Sequence, residues 1–163
     1  MKKIKTVLCI LIPLLILGSC GGETEKKKST TTPKSMVEEK KADPKGIGEV
    51  QNVELTDPLE ESMVVSGESI YEMKCASCHK LTDQRVVGPG WAGITNKRRP
   101  EWIMNMITNV EVMLEEDPVA QALLEECLTR MPNQGVSIGD ARAILEFMRK
   151  NDMEKVGTKD QAA

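Results

Sequence analysis

The chain predicts an all-α fold, and three features carry that expectation. Apolar residues recur at helical spacing, no convincing run alternates apolar and polar residues as a strand does, and Gly and Pro separate the periodic segments. With 163 residues, 40% hydrophobic and 29% charged, there is room for one small domain plus attachments and not for two. The folded domain is expected over residues 63–152.

Each helix has its own start signal. The first is expected to begin near Ser66, an N-cap residue type, and to carry Ile70, Tyr71 and Lys74 toward a cysteine pair at its end. A second opens at Pro100, whose missing N–H costs nothing in a first turn, and sets Trp102, Ile103, Met106 and Ile107 along one face. Asp117-Pro118, a cap followed by a first-turn proline, opens the third, which lines up Val119, Ala122, Leu123 and Cys127. The fourth follows Ser137, whose partner Asp140 gives a capping-box-like start, and turns Ile144, Leu145, Phe147 and Met148 inward. Residues 153–163 are expected to be a disordered tail.

The first helix delivers Cys75-Ala76-Ser77-Cys78-His79, and a Cys-x-x-Cys-His run is the attachment signature of a c-type haem. On one helical turn Cys75 and Cys78 face the same way, so both thiols can form thioethers with the vinyl groups of one porphyrin. His79 then lies beneath the iron. It is the only histidine in the chain, so one covalent haem with one imidazole ligand is the most these residues support. Two other chemistries share the cysteines. A redox-active dithiol belongs beside a βαβ pattern, which this chain lacks. A structural zinc site could draw on Cys75, Cys78, His79 and Cys127, supported by the pair spacing alone. Cys127 itself stands at a helical core spacing, where a small buried thiol is the simpler account. With one Tyr, one Phe and two Trp, the domain has little aromatic mass, a deficit that a buried porphyrin would fill.

Gly67-x-x-x-Tyr71-x-x-x-Cys75-x-x-Cys78-His79, then Gly88-Pro89, Met131-Pro132 and an aromatic-bearing last helix together resemble the class I c-type cytochromes over residues 64–151. The resemblance implies a small helical domain wrapped around one covalently bound haem. It implies that the first and last helices cross at a glycine and aromatic contact, matched here by Gly67, Tyr71 and Phe147. It further implies that the Pro89 carbonyl accepts a hydrogen bond from His79 and fixes the ring. Trp91, just beyond, is expected in the haem crevice or against a propionate. For the sixth ligand, Met104, Met106 and Met148 are accounted for by core filling, and Met73 stands too close to the haem motif. Met131 lies in a Pro- and Gly-bounded loop that the resemblance places on the far side of the haem. A thioether there favours ferrous iron and raises the potential, which suits an electron carrier.

At the N-terminus, Lys2, Lys3 and Lys5 precede the apolar run from Val7 to Leu17, followed by Gly18 and Ser19, the pattern of a secretory signal over residues 1–19. The run is interrupted by Pro13 and falls short of the roughly 20 residues needed to cross a bilayer. Leu17-Gly18-Ser19-Cys20 resembles the lipobox of bacterial lipoproteins, which implies that Cys20 becomes the lipidated first residue; an ordinary signal peptide is the alternative. Several acyl chains on Cys20 would anchor the chain stably. Residues 20–62, rich in Lys, Glu, Thr, Pro and Gly, are expected to form a flexible tether. Loss of residues 1–19 leaves 19 basic against 25 acidic residues, a net charge of −6 that disfavours nucleic acid as a partner. Lys80, Arg85, Lys97, Arg98, Arg99 and Arg130 are expected either on a solvated surface or as a basic rim steering the haem edge onto an acidic partner.

The expected function is a membrane-tethered electron carrier, exported to the periplasm or cell exterior and serving a respiratory donor and a terminal reductase or oxidase. It is expected to catalyse nothing itself. Two alternatives remain open at this point: a haem enzyme or gas sensor with an open iron site, and a fixed haem subunit of a respiratory complex.

Overall fold

Residues 41–163 are described by the computed structural model; the expected secretory signal, Cys20 and about half of the expected tether lie outside them. Among the described residues there are six α-helices and no strand. These are α1 (Glu61–Lys74), α2 (Ile94–Lys97), α3 (Pro100–Thr108), α4 (Val110–Glu116), α5 (Pro118–Cys127) and α6 (Ile138–Val156). The expected all-α class is what is found.

The frame is the crossing of α1 over α6. Gly67 permits it, because a Cβ there would collide with the carbonyl oxygen of Ala143 in α6. A larger residue beside this contact fills the angle: the Tyr71 ring lies 5.5 Å from that of Phe147 and 4.8 Å from that of Trp91. Around them Val64, Trp102, Ile103, Met113, Ile144, Leu145 and Met148 form a continuous buried core. Small next to large allows close approach without a void.

The helix starts show how local chemistry and distant contacts share the work. Asp117 accepts the N–H of Ala120 at 2.8 Å and Ser137 accepts that of Asp140 at 3.1 Å, so both foreseen caps form. Pro100 occupies the first turn of α3 as expected. The first helix, however, starts at Glu61 and not near Ser66, which sits inside it. No side chain caps that end. The N–H of Glu60 instead donates to Glu146 of α6 at 3.0 Å. After Asn109 the chain also forms a helix that the periodicity did not mark, α4, which buries Val110, Met113 and Leu114.

The chain departs from the expected organisation at both ends of the domain. Residues 45–60 do not belong to a free tether but form a strap against the helices. Val50 is buried, and Ile47, Val53, Leu55 and Leu59 pack on the core. Asn105 of α3 receives the N–H of Val50 and donates to the carbonyls of Val50 and Lys45, while Asn109 donates to Ile47. Farther along, Arg142 and Arg149 of α6 donate to the carbonyls of Glu54 and Thr56. Sparse apolar residues and borrowed polar partners replace the dense hydrophobic pattern of a helix.

Nor is the C-terminal tail free. Helix α6 continues to Val156, Gly157 ends it with φ 75°, and Asp160 then binds the Arg149 Nε through both carboxylate oxygens at 3.0 and 2.9 Å. Asn96 donates to the carbonyl and hydroxyl oxygens of Thr158, both at 3.0 Å. Asp152, fully buried, accepts the N–H groups of Gly93 and Thr95 at 2.7 and 2.8 Å and so caps the short α2 from α6.

Candidate functional site

Helix α1 ends at Lys74, and the next residues continue as one helical turn, with the N–H groups of Cys78 and His79 donating to the Cys75 carbonyl at 3.1 and 2.9 Å. The Tyr71 hydroxyl reaches forward to the His79 carbonyl at 2.8 Å, so the turn is pinned to the helix that leads into it. Gly88 N–H then closes onto the Cys78 carbonyl at 2.9 Å, bringing Gly88-Pro89 over the imidazole. A Cβ on Gly88 would press on the ring, 2.8 Å from Nδ1. Glycine keeps that space open for His79.

His79 Nδ1 lies 2.9 Å from the Pro89 carbonyl oxygen. Burial lowers the pKa of His79, with the Pro89 bond opposing, so the ring is neutral near pH 7. A carbonyl can only accept, which places the proton on Nδ1 and leaves the Nε2 lone pair available. The Trp91 ring packs beside His79, 5.6 Å from the imidazole and 4.8 Å from Tyr71.

Cys78, His79, Pro89 and Met131 line one cavity of about 380 Å³. Its size falls within the roughly 300–1,000 Å³ of ordinary ligand and cofactor sites. Trp91, Trp102, Ile103, Met106, Ile107, Leu114, Leu123, Leu124 and Met148 complete an almost wholly apolar wall. Cys75 is buried in the core cluster and is not among the residues that line the cavity. Met131 reaches the wall from a loop held in place by Gly135, with φ 60°, and by Lys74, which donates to the Gln134 carbonyl at 2.9 Å. A second, shallower depression between Thr82, Asn96 and Lys155 holds none of the expected site residues.

Two of the alternatives lose support here. Burial, followed by the neighbouring Cys78, raises the pKa of Cys75 against the opposing effect of Lys74, the reverse of an activated redox thiol. Among the described residues no three of His, Cys, Asp and Glu gather closely enough to hold a metal ion, so the zinc set is not assembled. Cys127 is half-buried and lines the cavity, where helical spacing alone placed it in the core. Met106 and Met148 also line the cavity and are not only core fillers. Which face of a helix meets a cofactor is set by the partners it packs on, and periodicity does not report it.

Four of the six basic residues have partners within the domain. Arg85 donates to the Glu126 carbonyl, Arg130 pairs with Glu115 at 3.8 Å, Arg99 pairs with buried Glu101 at 3.2 Å and Arg98 lies 5.3 Å over the Trp102 ring. Of the six basic residues, Arg130 lines the cavity.

Helices crossed at a glycine and aromatic contact, enclosing one apolar cavity with imidazole, thiol and thioether on its wall, are the architecture of a small helical haem-binding domain. The cytochrome c family model matches residues 64–152, and the chain belongs to the cytochrome c family, haem proteins of electron transfer that carry haem c covalently. The chain is similar to the solved cytochrome c from Rhodothermus marinus, with 32% identity and a TM-score of 0.66, covering 69% of this chain and 100% of that one. It is also similar to an engineered cytochrome c from the same organism, Rma TDE, at 32% identity over 68% of this chain and 98% of that one, with a TM-score of 0.64. The same engineered protein bound to a carbene intermediate gives a TM-score of 0.61, again at 32% identity and with the same coverage. No curated protein matches the chain.

The residues present fit haem c. The wall is apolar, Gly88 leaves the imidazole room, and His79 is neutral with Nδ1 already engaged.

Proposed function

We propose that this cytochrome carries one haem c, bound through Cys75 and Cys78, with His79 and Met131 as axial ligands, and that it shuttles electrons outside the cytoplasm while anchored by lipid on Cys20. The observation that carries the reading is the 2.9 Å contact of His79 Nδ1 with Pro89 in the wall of a cavity shared with Met131. When bound, the haem supplies the one-electron couple of its iron. The chain's residues hold and insulate it. Pro89 fixes the His79 tautomer and orientation, which raises the basicity of Nε2. Trp102, Ile103, Leu114 and Leu123 exclude water, and a dry surround limits the reorganisation that accompanies electron transfer. With His79 and Met131 both holding the iron, no open site would remain for a substrate, as befits a carrier rather than a peroxidase-like enzyme or a gas sensor.

The sequence supports the rest. The signal pattern and Cys20 support a site at a membrane facing the periplasm or cell exterior, where covalent haem attachment in bacteria also takes place. No helix of the described residues is long and apolar enough to cross a membrane. A respiratory donor and a terminal reductase or oxidase are the proposed partners. Intact mass of the protein isolated from membranes tests the reading: one haem per chain and an acylated Cys20 are expected. Haem lost on denaturation of the wild type, or no lipid on Cys20, would refute the corresponding part. Stoichiometric co-purification with a respiratory complex would recast the carrier as a fixed subunit.

A further inference from the structure

Among the groups that the haem site leaves unused, Asp117 stands apart. It is fully buried at the start of α5. One oxygen, Oδ1, accepts the N–H of Ala120 at 2.8 Å and the indole N–H of Trp102 at 3.2 Å. The other, Oδ2, is buried without a hydrogen-bond partner. A buried carboxylate ordinarily gathers donors on both oxygens. Capping does not require this arrangement, since Ser or Asn caps a helix as well as Asp without burying a charge.

Its position supplies a reason. The indole that donates to Oδ1 belongs to Trp102, whose ring lines the cavity, and Leu114, one turn before Asp117, lines it too. Asp117 is therefore one indole ring away from the cavity. Arg98 lies 5.3 Å from the centroid of the same ring, and a cation over an indole face polarises its N–H toward the carboxylate. Arg98, Trp102 and Asp117 make a chain from the surface to the cavity wall.

We propose that Asp117 is a positioning and potential-setting residue: it orients Trp102 in the haem wall and holds the reduction potential down. Ferric haem carries one more positive charge than ferrous haem, so an ionised carboxylate at Asp117 in a dry wall would stabilise the oxidised form. The effect opposes that of the thioether ligand and sets the carrier below the potential that Met131 alone would give. This rests on the haem occupying the cavity as proposed above.

The test is a redox titration of the full-length haem protein, wild type against Asp117→Asn and Asp117→Ser, at low and high salt. Both variants keep an N-cap acceptor and remove the charge, so either serves if the other folds poorly. A shift of the midpoint to more positive potential is expected in both, undiminished by salt, with optical spectra of both oxidation states unchanged. Asp117→Glu, which retains the charge, should return the midpoint toward wild type. Glu125→Gln, the loss of an exposed carboxylate, should give a smaller shift that salt abolishes. An unmoved midpoint in either uncharged variant with intact spectra overturns the proposal. If instead the wild-type protein binds no haem, the proposed site fails and takes this inference with it, an outcome visible before any titration.

Discussion

The Tyr71 hydroxyl donates to the His79 backbone carbonyl at 2.8 Å, tying the helix before the haem motif to the motif's last residue. Burial raises the pKa of this phenol, so it stays a donor across the neutral range. Tyr71→Phe keeps the ring packed on Trp91 and Phe147 and removes one hydrogen bond, at a cost of about 1 kcal/mol. A thermal melt of the haem protein should fall by about 4 °C. An unchanged melt would show that the turn is held by the haem alone.

At the crossing of α1 and α6, Gly67→Ala should be among the costliest single-methyl additions in the chain. The new Cβ meets the Ala143 carbonyl, which belongs to backbone and cannot swing aside. Overpacking of this kind costs about 1–3 kcal/mol or more. Urea unfolding should give a lower midpoint than wild type with a similar slope.

Glu146 sets the acid limit of the domain. Burial pushes its carboxyl up, but donors from Arg142, the Glu60 N–H and Arg149 outweigh it and hold the group below the usual carboxylate range. A depressed folded pKa contributes stability that is fully present above the ordinary carboxylate value and is lost as pH falls through the folded one. Glu146→Gln leaves buried Arg149 with Asp160 as its remaining carboxylate and should cost about 3–5 kcal/mol at neutral pH. The difference between variant and wild type should shrink in melts taken at progressively lower pH below about 4. A constant difference across that range would rule out the ionic account.

Asn105 is the clasp of the strap. Asn105→Ala removes one bond received and two donated, and leaves the N–H of Val50 without its partner. Cleavage of residues 45–53 by a protease should accelerate at least several-fold relative to wild type, while cleavage within α1 should change little. Equal rates at the strap would show that Val50 and its apolar neighbours suffice.

What was legible in the chain was local. Cys75 to His79, Gly88-Pro89 and Met131-Pro132 are short motifs, and the Asp117 and Ser137 caps act within three residues, so adjacent letters reveal them. The strap, the true start of α1 and the ordered tail depend on Asn105, Glu146 and Arg149, each more than ten residues from the partner concerned. Nothing periodic marks such a bond. The low apolar density of residues 45–60 suggests a tether, and the polar side chains that hold its backbone lie far away in the sequence. Cys127, Met106 and Met148 reached the cavity wall for a related reason: spacing identifies an apolar stripe and is silent on what the stripe covers.

The central claim is that Met131 completes the haem site opposite His79, and the midpoint potential of Met131→Ala tests it most directly. Loss of the thioether should lower the potential and open the iron, so that the reduced variant binds carbon monoxide promptly where the wild type does not. A potential and spectrum unchanged from wild type would contradict the account and move the ligand to another methionine of the cavity wall, Met106 or Met148.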